Sequence, residues 1–289
     1  MIDIIIDMRK KDLGGGFEVG RVLPFAKRRM VGPFTFFDQM GPVEFEKGIA
    51  KSLDVRPHPH IGLATLTYLF SGQITHRDSL GFTQEICPEE VNWMIAGSGI
   101  THSERFEYAR TNGANLFGLQ TWIALPEHLE EMPPEFHHYE GKNELPIFEE
   151  KGIRGRLIAG ESMGKSSSVK TLSPMFYVHW QLQQGQSIAL ENEYTERAIY
   201  VVSGQVEADG QIINAGQMAV FKAGATIGLR ALNNCTFMTL GGEPIGERFM
   251  FWNFVSSSKE RLEQAKEDWK QGRIKLPEHD NQEFIPLPE

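Results

Sequence analysis

The sequence predicts an all-β protein made of two tandem β-barrels and one short C-terminal α-helix. Three observations support this fold class. The chain has 289 residues with 40% hydrophobic content, which suits two packed domains better than a single core. Its 29 glycines and 15 prolines are spread along the chain, as in folds built from many short strands and turns. An internal repeat indicates two copies of one barrel unit.

Short apolar segments rich in β-branched residues, separated by glycine-bearing turns, predict the strands. The clearest lie at residues 34–37, 63–70, 93–95, 116–125 and 199–202. Residues 126–173 are richer in Pro, Glu, Gly and Ser, so we expect the crossing between the domains there. The predicted organisation is a metal-binding barrel over residues 1–130, a crossing over 131–172, and a degenerate barrel with the C-terminal helix over 173–289.

One helix is predicted near the C-terminus. Ser257 and Glu260 match the S-x-x-E capping box, and Gly272 can end the helix in the left-handed conformation. Helical spacing places three apolar residues on one face: Leu262, Ala265 and Trp269. We interpret Trp269 as a packing anchor, because an aromatic residue at this spacing is more often part of a core than of a ligand site.

The repeat consists of two pairs of matching segments. Residues 68–74 (YLFSGQI) match residues 200–206 (YVVSGQV), and Ala-Gly at 96–97 matches Ala-Gly at 223–224, each pair after an apolar strand. Each half of the chain can therefore be compared with the other, position by position.

Composition argues against several function classes. The formal net charge is −9 and the pI is about 5.6, and the basic run Lys27-Arg28-Arg29 is too short to overcome the repulsion from phosphates. We therefore expect no direct nucleic-acid binding. No apolar run approaches the roughly 20 residues of a membrane span, and the N-terminus lacks the basic flank of a signal peptide, so we expect a cytoplasmic protein. Cys87 and Cys235 are too few for a disulfide framework and are expected to be free thiols.

Two pairs of polar residues predict a metal site in the first barrel. His58 and His60 are separated by one residue, and because a strand has a period of two, both rings point to the same face. His102 and Glu104 repeat this spacing with an imidazole and a carboxylate. If the two strands are neighbours in a barrel, three nitrogens and one oxygen converge on one point.

The ligand set restricts the metal without identifying it. It contains no thiolate, so it suits Fe(II), Mn(II), Ni(II), Cu(II) or Zn(II) better than an iron–sulfur cluster. In octahedral coordination it leaves about two adjacent positions open for dioxygen or a chelating substrate. Two alternatives stay open: the histidines could be close only in the sequence, or they could form a closed structural zinc site, which would be tetrahedral and without a pocket.

The second copy of the repeat lacks these ligands. The two matching segments align each candidate ligand with a residue of the second copy, and none of these residues is a suitable metal ligand. Leu190 stands opposite His58, Asn192 opposite His60, Leu229 opposite His102 and Ala231 opposite Glu104. Only His179 and His279 remain as histidines in that half. The second barrel is therefore expected to have a structural or recognition role.

The residues around the histidines resemble the pirin family of bicupins, proteins with two tandem cupin, or jelly-roll, barrels. The resemblance covers nearly the whole chain and rests on residues 58–62 (HPHIG), 76–79 (HRDS), 93–104 (WMIAGSGITHSE), 118–122 (GLQTW) and 252–256 (WNFVS). It implies one metal ion, most commonly iron and here Fe(II), with Ni, Cu, Mn or Zn as alternatives, bound through His58, His60, His102 and Glu104. Ala64 and Gln39 depart from the pattern, since many relatives have Glu and His there. The departure at Ala64 concerns the tuning of the metal more than its binding.

The resemblance implies two functions of different classes. Some pirin-like proteins are similar to quercetin 2,3-dioxygenases, which open a flavonol ring with dioxygen, so one expectation is a monomeric dioxygenase acting on a flavonol-like substrate. Others act as regulators, so the alternative is a non-enzymatic iron-binding redox sensor that binds a protein partner, since Fe(II) and Fe(III) differ by one charge. A sugar-phosphate isomerase ranks last, because the ligand segments offer a phosphate only Arg56, Arg77 and Arg105. The ligand set itself leaves open whether the protein is an enzyme.

For the dioxygenase, Glu104 is the candidate catalytic base for the proton of the 3-hydroxyl group, since an apolar wall raises the pKa of a carboxyl group. Gln120 and Trp122 are candidates for the pocket wall, whereas Trp93 and Met94 are expected in the barrel core. Two interpretations remain open for His76, which could orient a ligand from behind or end a hairpin. The two histidines at 137–138 are expected in an exposed linker.

Overall fold

The computed structural model describes residues 1–13 and 16–289, with 53% of the chain in strands and 10% in helices. The strands are β1 (Ile2–Asp7), β2 (Arg9–Asp12), β3 (Glu18–Leu23), β4 (Phe34–Phe45), β5 (Val55–His60), β6 (Leu63–Ser71), β7 (Ile74–Asp78), β8 (Thr83–Ile86), β9 (Val91–Ile95), β10 (Ile100–Arg105), β11 (Ala114–Ala124), β12 (Glu135–Tyr139), β13 (Ile147–Glu150), β14 (Ile153–Ser162), β15 (Lys165–Ser166), β16 (Met175–Leu182), β17 (Ser187–Leu190), β18 (Glu196–Ser203), β19 (Gln205–Ala208), β20 (Gln211–Asn214), β21 (Gln217–Phe221), β22 (Ile227–Ala231), β23 (Cys235–Gly242), β24 (Phe249–Phe251) and β25 (Phe254–Ser256). The helices are α1 (Glu107–Asn112), α2 (Gly141–Glu144) and α3 (Lys259–Lys270), with single 3₁₀ turns at Lys51–Leu53 and Glu127–Leu129. Each predicted strand is present, and the all-β bicupin fold is confirmed.

By contacts, the chain divides into two compact units whose limits fall within β2, β3, β4 and β12 and between β23 and β24. The apolar unit comprises Met1–Arg9, Gly20–Phe36 and Tyr139–Ile245, and the histidine unit comprises Lys10–Val19, Phe37–His138 and Gly246–Glu289. Helix α3 thus belongs to the unit that carries the candidate ligands. Residues 131–172, where the crossing is expected, carry α2 and β12 to β15. The domain limits predicted at residues 130 and 172 stay predictions.

The apolar unit is built from two antiparallel sheets. One has the order β1-β21-β18-β23-β16-β14-β13, with β15 paired to β14, and the other has the order β17-β22-β19-β20. Their alternating residues form an apolar core that includes Leu157, Trp180, Val201, Leu229 and Phe237. This core occupies the place that a ligand would need inside a cupin barrel.

The histidine unit has the same plan. A seven-stranded sheet has the order β12-β9-β6-β11-β4-β3-β2, and a four-stranded sheet has the order β5-β10-β7-β8. An apolar cluster lies inside the barrel, with Phe17, Phe45, Leu69, Ile86 and Phe106 among its members. Its four-stranded sheet also carries buried polar residues, on β5, β7 and β10, whereas the buried residues of the four-stranded sheet in the apolar unit are apolar.

The glycine turns confirm the repeat. Gly72 follows β6 with φ +84°, and Gly204 follows β18 with φ +80°. A side chain would be strained in this left-handed region, which explains why glycine occurs at both positions. The two matching segments are therefore the same strand-and-turn element in each barrel.

Helix α3 begins one residue later than predicted. Ser258, and not Ser257, is the N-cap residue, and its hydroxyl accepts from the backbone N–H of Arg261 at 3.2 Å. Ser257 instead donates its N–H and its hydroxyl hydrogen to the Glu130 carboxylate, at 2.9 and 3.0 Å. The predicted apolar face is confirmed, because an apolar cluster around Ile61 and Phe254 contains Leu262, Ala265 and Trp269.

Two further expectations can be compared with the structure. Cys87 and Cys235 are free thiols, as predicted. Among the described residues, none of the helices has both the length and the apolar character required to cross a membrane.

Candidate metal site

Strands β5 and β10 lie side by side and bring three histidines together. They pair antiparallel with His58 directly opposite His102, and the alternation of β5 puts His60 on the same face as His58. The predicted convergence of the three imidazoles is therefore confirmed. One nitrogen from each ring lies within 4.8 Å of the other two, and all three side chains are buried.

The three imidazole rings pack close together. The ring centroids of His58 and His102 are 4.5 Å apart, and Nε2 of His60 lies 3.1 Å from Nε2 of His102. Two ring nitrogens that both present lone pairs at this distance repel each other unless a proton or a cation lies between them. The arrangement is suited to a divalent metal ion.

A backbone carbonyl fixes which nitrogen of His58 can bind a metal. Nδ1 of His58 lies 2.9 Å from the carbonyl oxygen of Arg56. A carbonyl only accepts, so Nδ1 carries the hydrogen and Nε2 keeps its lone pair. His58 is thereby held in the form that a metal ligand requires.

A hydrogen-bond chain fixes His102 in the same way. Oδ2 of Asp78 lies 2.9 Å from Nε2 of His76, and Nδ1 of His76 lies 3.3 Å from Nδ1 of His102. The carboxylate of Asp78 accepts from His76 Nε2–H, which leaves His76 Nδ1 as an acceptor for His102 Nδ1–H. Nε2 of His102 then keeps its lone pair beside His60. The interpretation of His76 as a support for a ligand is thus favoured by its contacts.

Asp78 also ends the hairpin between β7 and β8, so the two interpretations of this segment coexist. Its Oδ1 accepts from the backbone N–H groups of Leu80 and Phe82, at 2.9 and 3.1 Å. Phe136 stacks on the other side of His76, with ring centroids 4.4 Å apart and 14° between the planes. His76 is therefore held on its edge and on its face.

Burial keeps the three imidazoles neutral. Desolvation lowers the pKa of His58 to about 4, and it lowers the pKa of His60 and of His102 well below the ordinary value, with neighbouring histidines adding to the effect. A metal binds the neutral imidazole, so at neutral pH it would have no proton to displace from these rings.

Glu104 lies two residues beyond His102 on β10 but outside the three-histidine group. It pairs with His76 on one side, and the pairing with β5 is irregular between His102 and Glu104. Its side chain is buried, and desolvation raises the pKa of its carboxyl group to about 7. The assignment of Glu104 as fourth ligand and base stays a prediction.

The donors that the two strands bring together are three imidazoles without a thiolate, which suits an iron-type or nickel-type site.

Strand β11 lines one side of the histidines. The indole of Trp122 meets the ring of His60 edge-on, with centroids 5.1 Å apart. Gln120 lies two residues earlier on the same face, and Thr67 donates its hydroxyl hydrogen to Oε1 of Gln120 at 2.7 Å. Trp93 and Met94, expected in the core, are both buried.

The apolar unit has replaced the ligands, although not at the positions we predicted. Ile188 lies opposite Leu229 there, as His58 lies opposite His102 in the histidine unit. Our alignment of Leu190 with His58 is therefore wrong by two residues. The cause is two additional residues in the second copy: Leu190 lies ten residues before Tyr200, whereas His60 lies eight residues before Tyr68.

The supporting residues are replaced as well. Strand β19 sets Val206 and Ala208 against β22 as β7 sets His76 and Asp78 against β10. Val206 and Ala208 both lie in the apolar core. A comparison of the two copies could therefore have identified His76 and Asp78, but only once the strand pairing is known.

The structure also gives the surroundings of four further residues singled out in the sequence. Ala64 is fully buried in β6, and Gln39 donates its amide hydrogen to the carbonyl of Gly41 at 2.9 Å. The two histidines expected in an exposed linker lie on β12, where His137 contacts Glu135 at 2.9 Å and His138 contacts Asn92 at 2.7 Å.

Comparison with known proteins agrees with this geometry. The pirin family model matches residues 16–123, and the model of the pirin C-terminal cupin domain matches residues 177–275. A pirin-like protein from Caulobacter vibrioides is 61% identical over 289 residues, 100% of each chain. The crystal structure of a quercetin 2,3-dioxygenase from Acinetobacter baumannii aligns with a TM-score of 0.90 at 32% identity, covering 99% of this chain and 95% of the other. A bacterial pirin from Escherichia coli, solved in complex with nickel(II), shares the fold with a TM-score of 0.66 at 18% identity, covering 84% and 100%.

Both barrels thus match their own part of one family, and the relative from Caulobacter matches from end to end. The first barrel carries the three buried imidazoles, and the second has an apolar interior in their place. This chain belongs to the pirin family.

Proposed function

We propose that the protein is a metal-dependent dioxygenase that acts on a flavonol-like substrate with dioxygen, using one divalent ion held by His58, His60, His102 and Glu104. The observation that carries the proposal is the convergence of three buried, neutral imidazoles, with one nitrogen of each ring within 4.8 Å of the other two. A similar structure, 32% identical over 99% of this chain, is named a quercetin 2,3-dioxygenase, which supports the substrate class. Fe(II) is the metal we favour, with Ni, Cu, Mn and Zn as alternatives.

The metal would act as a Lewis acid toward the substrate oxygen and would orient dioxygen. The residues of the chain do the rest. Glu104 takes the proton of the flavonol 3-hydroxyl group on its carboxylate, a role for which a pKa of about 7 in the metal-free site is well matched at neutral pH. His76 and Asp78 keep His102 in the required tautomer.

The wall of the site offers a polar contact for the substrate. Because Oε1 of Gln120 accepts from the Thr67 hydroxyl, the amide nitrogen of Gln120 is directed elsewhere as a donor. Trp122, against His60, supplies an aromatic edge beside it. A planar polyphenol has ring surface for the indole and oxygen acceptors for the amide, and both features fit this wall.

The test is a direct assay of the protein purified without a metal-affinity tag. Bound metal is quantified, and the iron-, copper- and nickel-loaded forms are incubated with quercetin under oxygen, with His102→Ala as the blank. We expect loss of the flavonol absorbance together with oxygen uptake in at least one metal form, and neither in the blank.

Two other outcomes would change the conclusion. Stoichiometric metal without turnover would refute the quercetin reaction and would favour the regulatory alternative, an iron-binding redox sensor that binds a protein partner. Absence of bound metal in every form would refute the site itself.

A further inference from the structure

The C-terminal tail, residues 277–289, runs without helix or strand across the back of the strands that carry the histidines. It belongs to the histidine unit, where it makes polar contacts and also apolar contacts through Phe284 and Leu287. We propose that this tail is a clasp that positions the two ligand-bearing strands, with Asp280 as its principal positioning residue. The inference rests on the metal site proposed above.

The clasp engages β10 between and beyond the candidate ligands. His102 and Glu104 alternate with Ser103 and Arg105, which point to the opposite face. Oδ2 of Asp280 accepts from the Ser103 hydroxyl at 2.6 Å and from Nε of Arg105 at 2.7 Å. Oδ1 of Asp280 accepts from Nη2 of Arg105 at 2.7 Å, which completes a two-point contact.

The arginine at the centre of this contact is almost fully enclosed. Arg105 is 2% exposed, and its Nη1 also donates to Glu283 of the tail at 3.0 Å. On its other side, Nη1 lies 3.5 Å from a carboxylate oxygen of Asp54. A buried guanidinium with its donors occupied holds its partners in a fixed geometry, since any shift leaves a charge without compensation.

The tail also holds β5, the strand of the other two histidines. The backbone N–H of Ile285 donates to the carbonyl of Pro57 at 2.8 Å, and the carbonyl of Ile285 accepts from the indole of Trp269 at 3.1 Å. Apolar packing also holds the tail, since Phe284 meets the ring of Trp269 edge-on with centroids 5.6 Å apart, whereas a groove of about 250 Å³ remains beside β5, lined in part by Val55 and Arg56. The polar contacts of Asp280 are the ones that reach the ligand-bearing strand β10.

The clasp acts where the pairing of β10 with β5 is irregular. The register between these two strands shifts between His102 and Glu104, so regular pairing on this side ends there, while β10 stays in regular register with β7. Ser103 and Arg105 lie at this irregular point, and both are bound by Asp280. The geometry of the histidine pair and of the carboxylate thus depends on a residue about 175 positions away along the chain.

The test compares Asp280→Asn with Glu278→Gln, which removes the same charge from an exposed position of the tail. Cu(II) alone is the probe metal: its affinity is measured by competition with a chelator at 15 °C, and its EPR spectrum reports the disposition of the ligands. We expect Asp280→Asn to bind Cu(II) roughly tenfold more weakly and with altered copper hyperfine splitting. Glu278→Gln should match the wild type in both.

A second variant keeps the inference testable if Asp280→Asn fails to fold. Ser103→Ala removes one hydrogen bond and leaves the contact between Arg105 and Asp280, so a smaller change in the same two readouts is expected. Thermal unfolding of the metal-free proteins shows whether each variant is fully folded at 15 °C. A folded Asp280→Asn variant with wild-type affinity and spectrum would overturn the inference and leave the tail a purely structural element. If the wild type binds no Cu(II), the proposed metal site is wrong, and the inference about the tail is wrong as well.

Discussion

Replacing Asp78 by Asn tests the hydrogen-bond chain that ends on His102. The substitution keeps the size of the side chain and exchanges Oδ2, which accepts from His76 Nε2–H at 2.9 Å, for an NH₂ group. Two donors then face each other in a site where Asp78 is only 1% exposed. The hydrogen of His76 can move to Nδ1, but there it faces the Nδ1–H of His102.

No rearrangement of the amide restores every bond. Turning it gives His76 an acceptor but sets the NH₂ group against the backbone N–H groups of Leu80 and Phe82. In the metal-free protein, His76 and His102 can both change tautomer, so that the amide donates to Nε2 of His76 and Nδ1–H of His76 donates to Nδ1 of His102. A metal on Nε2 of His102 forces the hydrogen back to Nδ1; one buried hydrogen bond is then unmade, which costs about 1–3 kcal/mol. If the hydrogen bonds from Asp78 through His76 support the metal-binding tautomer of His102, this loss opposes metal binding, and metal affinity falls roughly 10- to 100-fold.

The assay is a chelator competition with Fe(II) or Co(II) on Asp78→Asn, the wild type and Glu85→Gln. Glu85 lies on the neighbouring strand β8 with an exposed side chain. Its replacement therefore removes the same charge and leaves the hydrogen bonds between Asp78, His76 and His102 unchanged. We expect Glu85→Gln to bind like the wild type. A folded Asp78→Asn variant that binds either metal as tightly as the wild type would refute the proposed role of His76 and Asp78.

Two further substitutions separate binding from stability. Glu104→Gln should weaken metal binding but stabilise the metal-free fold at pH 8 by up to about 3 kcal/mol. Folding raises the pKa of Glu104 from 4.5 to about 7, so the wild type loses stability as the pH rises through this window, and the variant does not. A urea-unfolding experiment that shows the same gain at pH 4 would contradict this. Leu229→Ala, in the core of the apolar unit, should lower the free energy of unfolding by about 2–5 kcal/mol. Its metal affinity should equal that of the wild type, and a loss would show that the second barrel contributes to the site.

The local part of the site could be predicted from the sequence. His58 and His60 share a face because strand alternation depends only on neighbouring residues, and the same holds for His102 and Glu104. The convergence of the three imidazoles required only that β5 and β10 be neighbours. The repeat supplied the two barrels, since each copy carries the same strand and glycine turn.

What the sequence missed depends on residues that are distant along the chain. The N-cap of α3 is Ser258, while the neighbouring Ser257, predicted as the cap, is bound by Glu130 from 127 positions away. The equivalence between the barrels was off by two residues because a connection differs in length, which no local pattern indicates. The role of His76 depends on the pairing of β7 with β10, which the sequence left undetermined.

The two barrels together explain why the polar interior of one persists. An apolar interior is available to this fold, as Ile188, Leu190 and Leu229 demonstrate in the second copy. Keeping imidazoles and carboxylates buried has a cost, visible in the lowered pKa of His58 and the raised pKa of Glu104. Binding of a metal to the folded state alone offsets such a cost, since it stabilises that state in proportion to the logarithm of the metal concentration over the dissociation constant. The metal-free histidine unit should therefore be the less stable of the two, and metal binding should stabilise that unit.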